Sequence, residues 1–206
     1  MARPTQDPQI RIQEILNTAQ SLFYEKGYHQ TAISDIAHQM GVAQGTIYYY
    51  FKSKEELLDT FIQRDLAAII AKLRQASARS GLSPLEKIQT VLQQLIRSLY
   101  LEEGLFLEFL NNNRTMYLLD NISRQGKVLL EPLLLEIVRE GNAQRSFRVP
   151  HPKAAVNLIQ YIIDSLIFSI YEKESDELLA HQFQLGCHLI VTSLGVTGGT
   201  LSVAYR

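Results

Sequence analysis

Thr31-Ala32-Ile33-Ser34-Asp35-Ile36-Ala37-His38-Gln39-Met40-Gly41-Val42-Ala43-Gln44-Gly45-Thr46-Ile47-Tyr48-Tyr49-Tyr50-Phe51 holds two short helical patterns on either side of a glycine. Ile33, Ile36, Ala37 and Met40 recur at three- and four-residue steps, the spacing of one helix face. Thr31 stands where it can cap that helix, and Gly41 where the helix must stop. Two helices that cross steeply over a turn of a few residues need a small residue at the contact, a turn glycine, and apolar residues that lock the second helix down. Ala37 is the small residue, Gly41 the turn glycine, and Ile36, Met40, Val42 and Ile47 are the locks. The pattern is that of a helix-turn-helix.

The second helix, from Gln44 to Tyr50, is unlike a packing helix. Successive residues point about 100° apart, so three consecutive tyrosines cannot all be buried. Phenols that face outward can donate to phosphate oxygens or lie against thymine methyls. Gln44 suits the N6/N7 edge of adenine, and Thr46 suits a base or a phosphate. Gly45 lets backbone approach a groove. Lys54 opens a further helix, where the helix dipole and free amides already favour an anion.

Helical periodicity continues in both directions. Upstream, Ile12, Ile15, Leu16, Ala19, Leu22 and Phe23 form one stripe that ends at Gly27. Downstream, Ser53-Lys54-Glu55-Glu56 is a capping box for a long helix with a stripe from Leu57 to Leu73. Ser80-Gly81-Leu82 breaks that helix, and Ser83-Pro84-Leu85-Glu86 is a second box, opening a helix to about Tyr100. Helices are expected at Leu105–Asn112 and Met116–Glu140, the latter bent or interrupted at Pro132 and ended by Gly141-Asn142. Pro150-His151-Pro152 starts another that runs to about Tyr171, and Asp176–Leu194 forms the last. No strand pair or repeat is evident. The expected fold class is all-α, with a three-helix domain over residues 1–52 that holds the helix-turn-helix and a helical domain over 53–206; the resemblance given below implies DNA binding for the first, and effector binding and dimerisation for the second.

A hydrophobic fraction of 46% in 206 residues is ample for a core. The formal charge is −1, with +1 on residues 1–54 and −2 on the rest. Any contact to DNA must therefore come from a few placed cations and polar groups, not from a broad basic field. Cys187 is the only cysteine, and its neighbours Phe183, Leu189 and Ile190 favour a small buried hydrophobe over a redox sensor. The five histidines are scattered, so no metal site and no cofactor are expected. The N-terminus lacks the apolar core of a signal peptide, and the most apolar stretch, Ala154–Tyr171, is interrupted by Asn157, Gln160 and Asp164. A soluble, cytoplasmic protein with no membrane partner is expected.

The run Thr31-x-Ile33-x-x-Ile36-Ala37-x-x-x-Gly41-Val42-x-x-Gly45-Thr46-Ile47-Tyr48-x-Tyr50-Phe51-x-Ser53-Lys54-Glu55-x-Leu57 resembles the DNA-binding domain of the TetR family of repressors, over about residues 10–60. The resemblance implies a homodimer, a recognition helix over about 44–50, and a C-terminal domain whose ligand releases double-stranded DNA. Carried over by position, Gln44, Gly45, Thr46 and Tyr48 meet bases, while Thr31, Tyr49, Tyr50 and Lys54 meet phosphates. Tyr50 departs from the family, in which a histidine is often found there.

Beyond residue 60 the candidates are weaker in kind. Asp164 sits among Ile162, Ile163, Leu166, Ile167 and Phe168, where a carboxylate is costly unless paired or wet. It is either an anchor for a ligand or an interface group paired with a basic or hydroxyl residue. Phe106, Phe109, Asn113 and Tyr117, with Asp164 and Phe168, are candidate lining residues for an apolar or amphipathic effector. The last two helices carry more apolar surface than one stripe, so Ile159, Ile163, Leu166, Phe183, Gly186 and Ile190 are candidates for a two-fold four-helix interface. Two-fold symmetry calls for a palindromic operator with recognition helices about 34–36 Å apart. An effector acts by favouring the wrong separation, transmitted by the helix that starts at Ser53 and joins both domains. No nucleophile–base pattern or phosphate loop supports an enzyme with a DNA-binding appendage. A constitutive DNA binder without effector is the remaining alternative.

Overall fold

A computed structural model describes residues 7–100, 116–196 and 199–204; the side chains of 99–100 and 116–118 are left aside. Eight helices follow one another among the described residues: α1 (Pro8–Lys26), α2 (Ile33–Gln39), α3 (Gln44–Tyr50), α4 (Lys54–Ser77), α5 (Pro84–Tyr100), α6 (Met116–Ala143), α7 (Pro152–Tyr171) and α8 (Asp176–Ser193). No strand occurs among them, so the all-α expectation holds. The helix expected at Leu105–Asn112 lies outside the described residues.

Two compact units are present. The first runs to Asp65 and also takes in the stretch ending at Asn121; the second resumes at Leu66 and again at Ile122. The sequence boundary at residue 52 precedes α4, whereas the first unit keeps that helix as far as Asp65. Side chains show why. Leu57, Leu58, Phe61 and Ile62 of α4 are fully buried together with Ile15, Leu16 and Phe23 of α1. The Phe61 ring stands edge-on to Phe23 and Tyr24. The Arg64 guanidinium donates to Asn17 Oδ1 (2.8 Å) and Gln20 Oε1 (2.7 Å) of α1.

Local chemistry sets the helix ends. Asp7 Oδ1 accepts from Gln9 N–H and Pro8 fills the first turn of α1. Thr31 is not the cap of α2: Ala32 holds that place, and its N–H donates to the Asp35 carboxylate (2.9 Å). At α4, Ser53 Oγ accepts from Glu56 N–H, while Glu56 Oε2 accepts from Lys52 N–H, one residue earlier than a simple box. At α5 the box closes on itself: Ser83 N–H donates to Glu86 Oε2 and Glu86 N–H to Ser83 Oγ. Helix α6 passes through Pro132 without interruption and ends after Ala143. Its Gly141 is required by close approach, because the Phe147 ring lies directly on the α-carbon.

The second unit is built on α4 from Leu66 onward, α5, the part of α6 after Asn121, α7 and α8. One cluster in its core joins Ile96 of α5, Leu166 and Ile170 of α7, and Leu179 and Phe183 of α8, with Ile162 and Val203 packed against it. Gly186 lets α8 approach α7 closely: a Cβ there would meet Ile162 Cγ2 at 3.1 Å and Leu166 Cδ1 at 3.4 Å. Helix α7 is long and apolar enough to cross a membrane, with a mean hydropathy of 1.4 over its best window. The three polar residues that interrupt its apolar run, Asn157, Gln160 and Asp164, explain themselves otherwise. Gln160 is buried and donates to Lys127 O (2.7 Å), Asp164 pairs with Lys127 and Ser123, and Asn157 is exposed.

Candidate nucleic-acid interface

Helix α2 stops in a Schellman turn. Gly41 adopts φ +64°, its N–H donates to His38 O (3.0 Å), and Val42 N–H reaches back to Ala37 O (3.0 Å). A left-handed residue is needed there, and glycine takes it without Cβ strain. The chain then enters α3 through Ala43, whose carbonyl accepts from Thr46 N–H (2.8 Å).

One residue fixes the rotation of α3. Ile47 is fully buried. With that face turned in, the 100° step per residue turns the next two outward. Tyr48 is 48% exposed and Tyr49 81%. Gln44 and Gly45 are exposed as well, and Thr46 and Tyr50 are half-buried. The Tyr50 ring is met edge-on by Tyr49, with centroids 4.9 Å apart. A Cβ on Gly45 would meet nothing within 4 Å. The chain's own packing therefore does not call for glycine there, and an absent side chain leaves room for something outside the chain.

Two expected phosphate contacts must be corrected. Thr31 is 1% exposed, and its hydroxyl donates to Gly27 O (2.8 Å) and Leu22 O (3.2 Å). It ties off the end of α1. Lys54 turns inward: Nζ donates to Tyr28 O (2.9 Å) and Thr31 O (3.0 Å) and lies 4.3 Å from the Tyr28 ring centre. The ammonium serves the loop between α1 and α2, where Tyr28 O also accepts from Thr31 N–H (3.3 Å). Lys52, which the sequence reading passed over, is exposed just past the end of α3. Both lysines flank Ser53, and only the packing of Tyr28 decides which one turns in. Next to them, Glu55 is held below the ordinary glutamate range, first by its own backbone N–H and then by the Ser53 hydroxyl.

The effector and interface candidates of the second unit also shift. Phe106, Phe109 and Asn113 lie outside the described residues, as does the side chain of Tyr117. Asp164 is paired with Lys127 and accepts from Ser123 Oγ (2.9 Å), so it is a satisfied carboxylate of the α6–α7 contact. Phe168 is 46% exposed and Asp164 and Phe168 both lie outside the apolar cleft of this unit, which is lined from α5, α7 and α8. The six residues expected at a subunit interface, Ile159, Ile163, Leu166, Phe183, Gly186 and Ile190, are all buried in the chain's own core. The opposite sides of the same helices are the ones left open, with Leu158, Tyr161 and Phe168 on α7 and Leu178, Leu185 and Leu189 on α8 exposed. Periodicity revealed two apolar sides but not which one faced in.

Helix α1, the short helices α2 and α3 with a left-handed turn glycine between them, and one buried isoleucine that locks α3 define a helix-turn-helix DNA-binding domain. Residues 15–60 match the family described as bacterial regulatory proteins, tetR family. Over this segment the chain is similar to the tetR family. Among relatives, the fatty acid metabolism regulator protein of Bacillus subtilis is 40% identical over 62 residues, 30% of this chain and 32% of the relative. The matched segment is thus about a third of that protein. The HTH-type transcriptional repressor KstR2 of Mycolicibacterium smegmatis is 26% identical over 180 residues, 85% of each chain. Among solved structures, the transcriptional regulator FadR from Bacillus subtilis in complex with stearoyl-CoA superposes with a TM-score of 0.64 at 24% identity. That match covers 88% of this chain and 98% of FadR. It shows the shared fold.

Proposed function

We propose that the chain is a dimeric, sequence-specific repressor, not an enzyme, released from a palindromic operator by a small molecule bound in its second unit. The observation that carries the reading is α3, pinned by Ile47 and holding Gln44, Gly45, Tyr48 and Tyr49 out to solvent. Gln44, Gly45, Thr46 and Tyr48 read base edges; Tyr49, Tyr50 and Lys52 hold phosphates. A formal charge of +1 on residues 1–54 supplies little non-specific attraction, so specificity rests on these contacts.

Two copies pair through the outward sides of α7 and α8, where six large hydrophobics stay exposed in the single chain. Isologous pairing of four helices then sets two recognition helices about 34–36 Å apart, one per half-site. Helix α4 contains the boundary between the compact units, so an effector in the second unit that biases α4 changes that separation. The effector is apolar or amphipathic. Support comes from the hydrocarbon cleft of the second unit and from the relatives that regulate fatty acid metabolism or bind stearoyl-CoA. The setting is the bacterial cytoplasm.

Selection of random duplexes with the purified full chain tests this. Palindromic sites with half-sites about one helical turn apart are the expected outcome. Binding without sequence preference would mean a constitutive architectural protein instead. Enriched sites that ignore every amphipathic ligand tried would remove the effector step and leave the operator reading in place.

A further inference from the structure

The cleft between α5, α7 and α8 has walls with no polar atom, formed by Leu95 and Ile96, Leu166, and Phe183 and Ile190, with Cys187 beside them. Yet only about 10 Å³ of it is free, room for the centre of one water. The chain's own C-terminal segment does the filling. Val203 lines the cleft and packs against Ile96, Leu166 and Phe183, and Leu201 is buried to 8% exposure. The segment from Gly199 to Ala204 has no helix or strand geometry to hold it. One side chain fastens it instead: Gln93 of α5 takes Ala204 at both ends, Nε2 donating to Ala204 O (2.7 Å) and Oε1 accepting from Ala204 N–H (2.8 Å). Gln93 thus acts on this strap as a neighbouring strand would, through a single exposed amide pair.

We propose that Thr200–Ala204 is a built-in competitor for the effector cleft, displaced by the alkyl chain of a ligand whose polar head takes over the Gln93 amide. The ligand class follows from the walls. A polar group carried into them would lose its hydrogen bonds to water and gain none, so only hydrocarbon enters. At the mouth, the freed Gln93 offers one donor and one acceptor, which suits a hydroxyl or amide head. Affinity for the ligand is then lowered by the fraction of molecules in which the strap is seated. The inference rests on the reading of the second unit as an effector domain, but its test uses no DNA.

The probe is decanol, and the chains are the full-length protein, Gln93→Ala, Val203→Ala and a chain ending at Gly199. Calorimetry gives the affinity, and labelling of Cys187 with N-ethylmaleimide gives the openness of the cleft, since no other cysteine reports. The shortened chain is expected to bind decanol about tenfold tighter or more and to label faster by a similar factor, if the strap is seated in nine molecules of ten; Gln93→Ala is expected to label as fast but to gain less affinity, because it also lacks the amide that holds the hydroxyl. Val203→Ala keeps the strap and guards against a shortened chain that fails to fold; it is expected to fall between. Decanol is expected to slow labelling in every chain. Equal affinity and equal labelling across the four chains overturn the proposal. So does decanol that binds without protecting Cys187, or that binds none of them. Tighter decanol binding with operator affinity untouched in a separate gel shift leaves the strap in place and removes the effector-release reading.

Discussion

Helix α3 and the paired helices α7 and α8 are both only partly covered, and they are open for different reasons. Helix α3 is seven residues long, turns one isoleucine in and leaves tyrosines, a glutamine and a glycine out. Its exposed side is polar or amphipathic and is stable in water as it stands. Helices α7 and α8 bury one apolar side in the core and leave a second apolar side in solvent. Such a side is a liability in a lone chain and an asset in a dimer. The surface proposed for DNA and the surface proposed for a second copy are thus told apart by chemistry, not by exposure.

The core residues beneath these surfaces should give the largest effects. Ile47→Ala and Phe183→Ala are expected to lose about 2–5 kcal/mol each, read by urea unfolding. Only Ile47→Ala should also abolish operator binding at a temperature where both proteins stay folded. Next comes the outward apolar side. Leu158→Glu with Leu185→Glu should convert a dimer to monomers in sedimentation velocity while monomer secondary structure is retained; a dimer that survives would return the interface to other residues. On α3, Tyr48→Ala and Tyr49→Ala should each weaken operator binding by about 1–3 kcal/mol, with no shift in melting temperature. The two lysines sharpen the contrast between surface and scaffold. Lys54→Met should cost about 1–3 kcal/mol of stability, by removing the ammonium's bonds to the Tyr28 and Thr31 carbonyls, and leave the salt slope of DNA binding unchanged. Lys52→Ala should do the reverse, lowering that slope by about 0.9 per chain.

The smallest effect concerns pH. The Ser83 hydroxyl, then the Ser83 N–H, hold Glu86 below its ordinary value of 4.5. A carboxyl depressed in the folded state stabilises above its unfolded value, and the contribution is lost as pH falls from 4.5 through the folded value. Glu86→Gln should therefore flatten a small part of the acid limb of a stability–pH curve and leave neutral pH nearly unchanged.

Most of the helix ends were legible in sequence because a cap is a local event. Gln44–Tyr50, Pro152–Tyr171 and the box at Ser83 needed no more than their own neighbours. The partners of Thr31, Lys54 and Asp164 could not be read from the sequence, for a common reason. Each is a polar residue whose partner comes from another element or from a loop: Leu22 O and Gly27 O, Tyr28 O, and Lys127 with Ser123. No spacing along the chain announces such partners. Gly45 had a signal that could be checked only in space, since an unneeded glycine is recognised by the emptiness around it.

By itself the sequence determined an all-helical chain with a helix-turn-helix near its start, because periodicity, caps and a turn glycine act over a few residues. Only tertiary structure decided which side of α7 and α8 faces inward, which of Lys52 and Lys54 stays exposed, and that Val203 lines the apolar cleft. Those outcomes depend on contacts between residues far apart in the chain, as Gln93 and Ala204 are, and the free energy of such contacts is set by packing that a linear pattern does not contain.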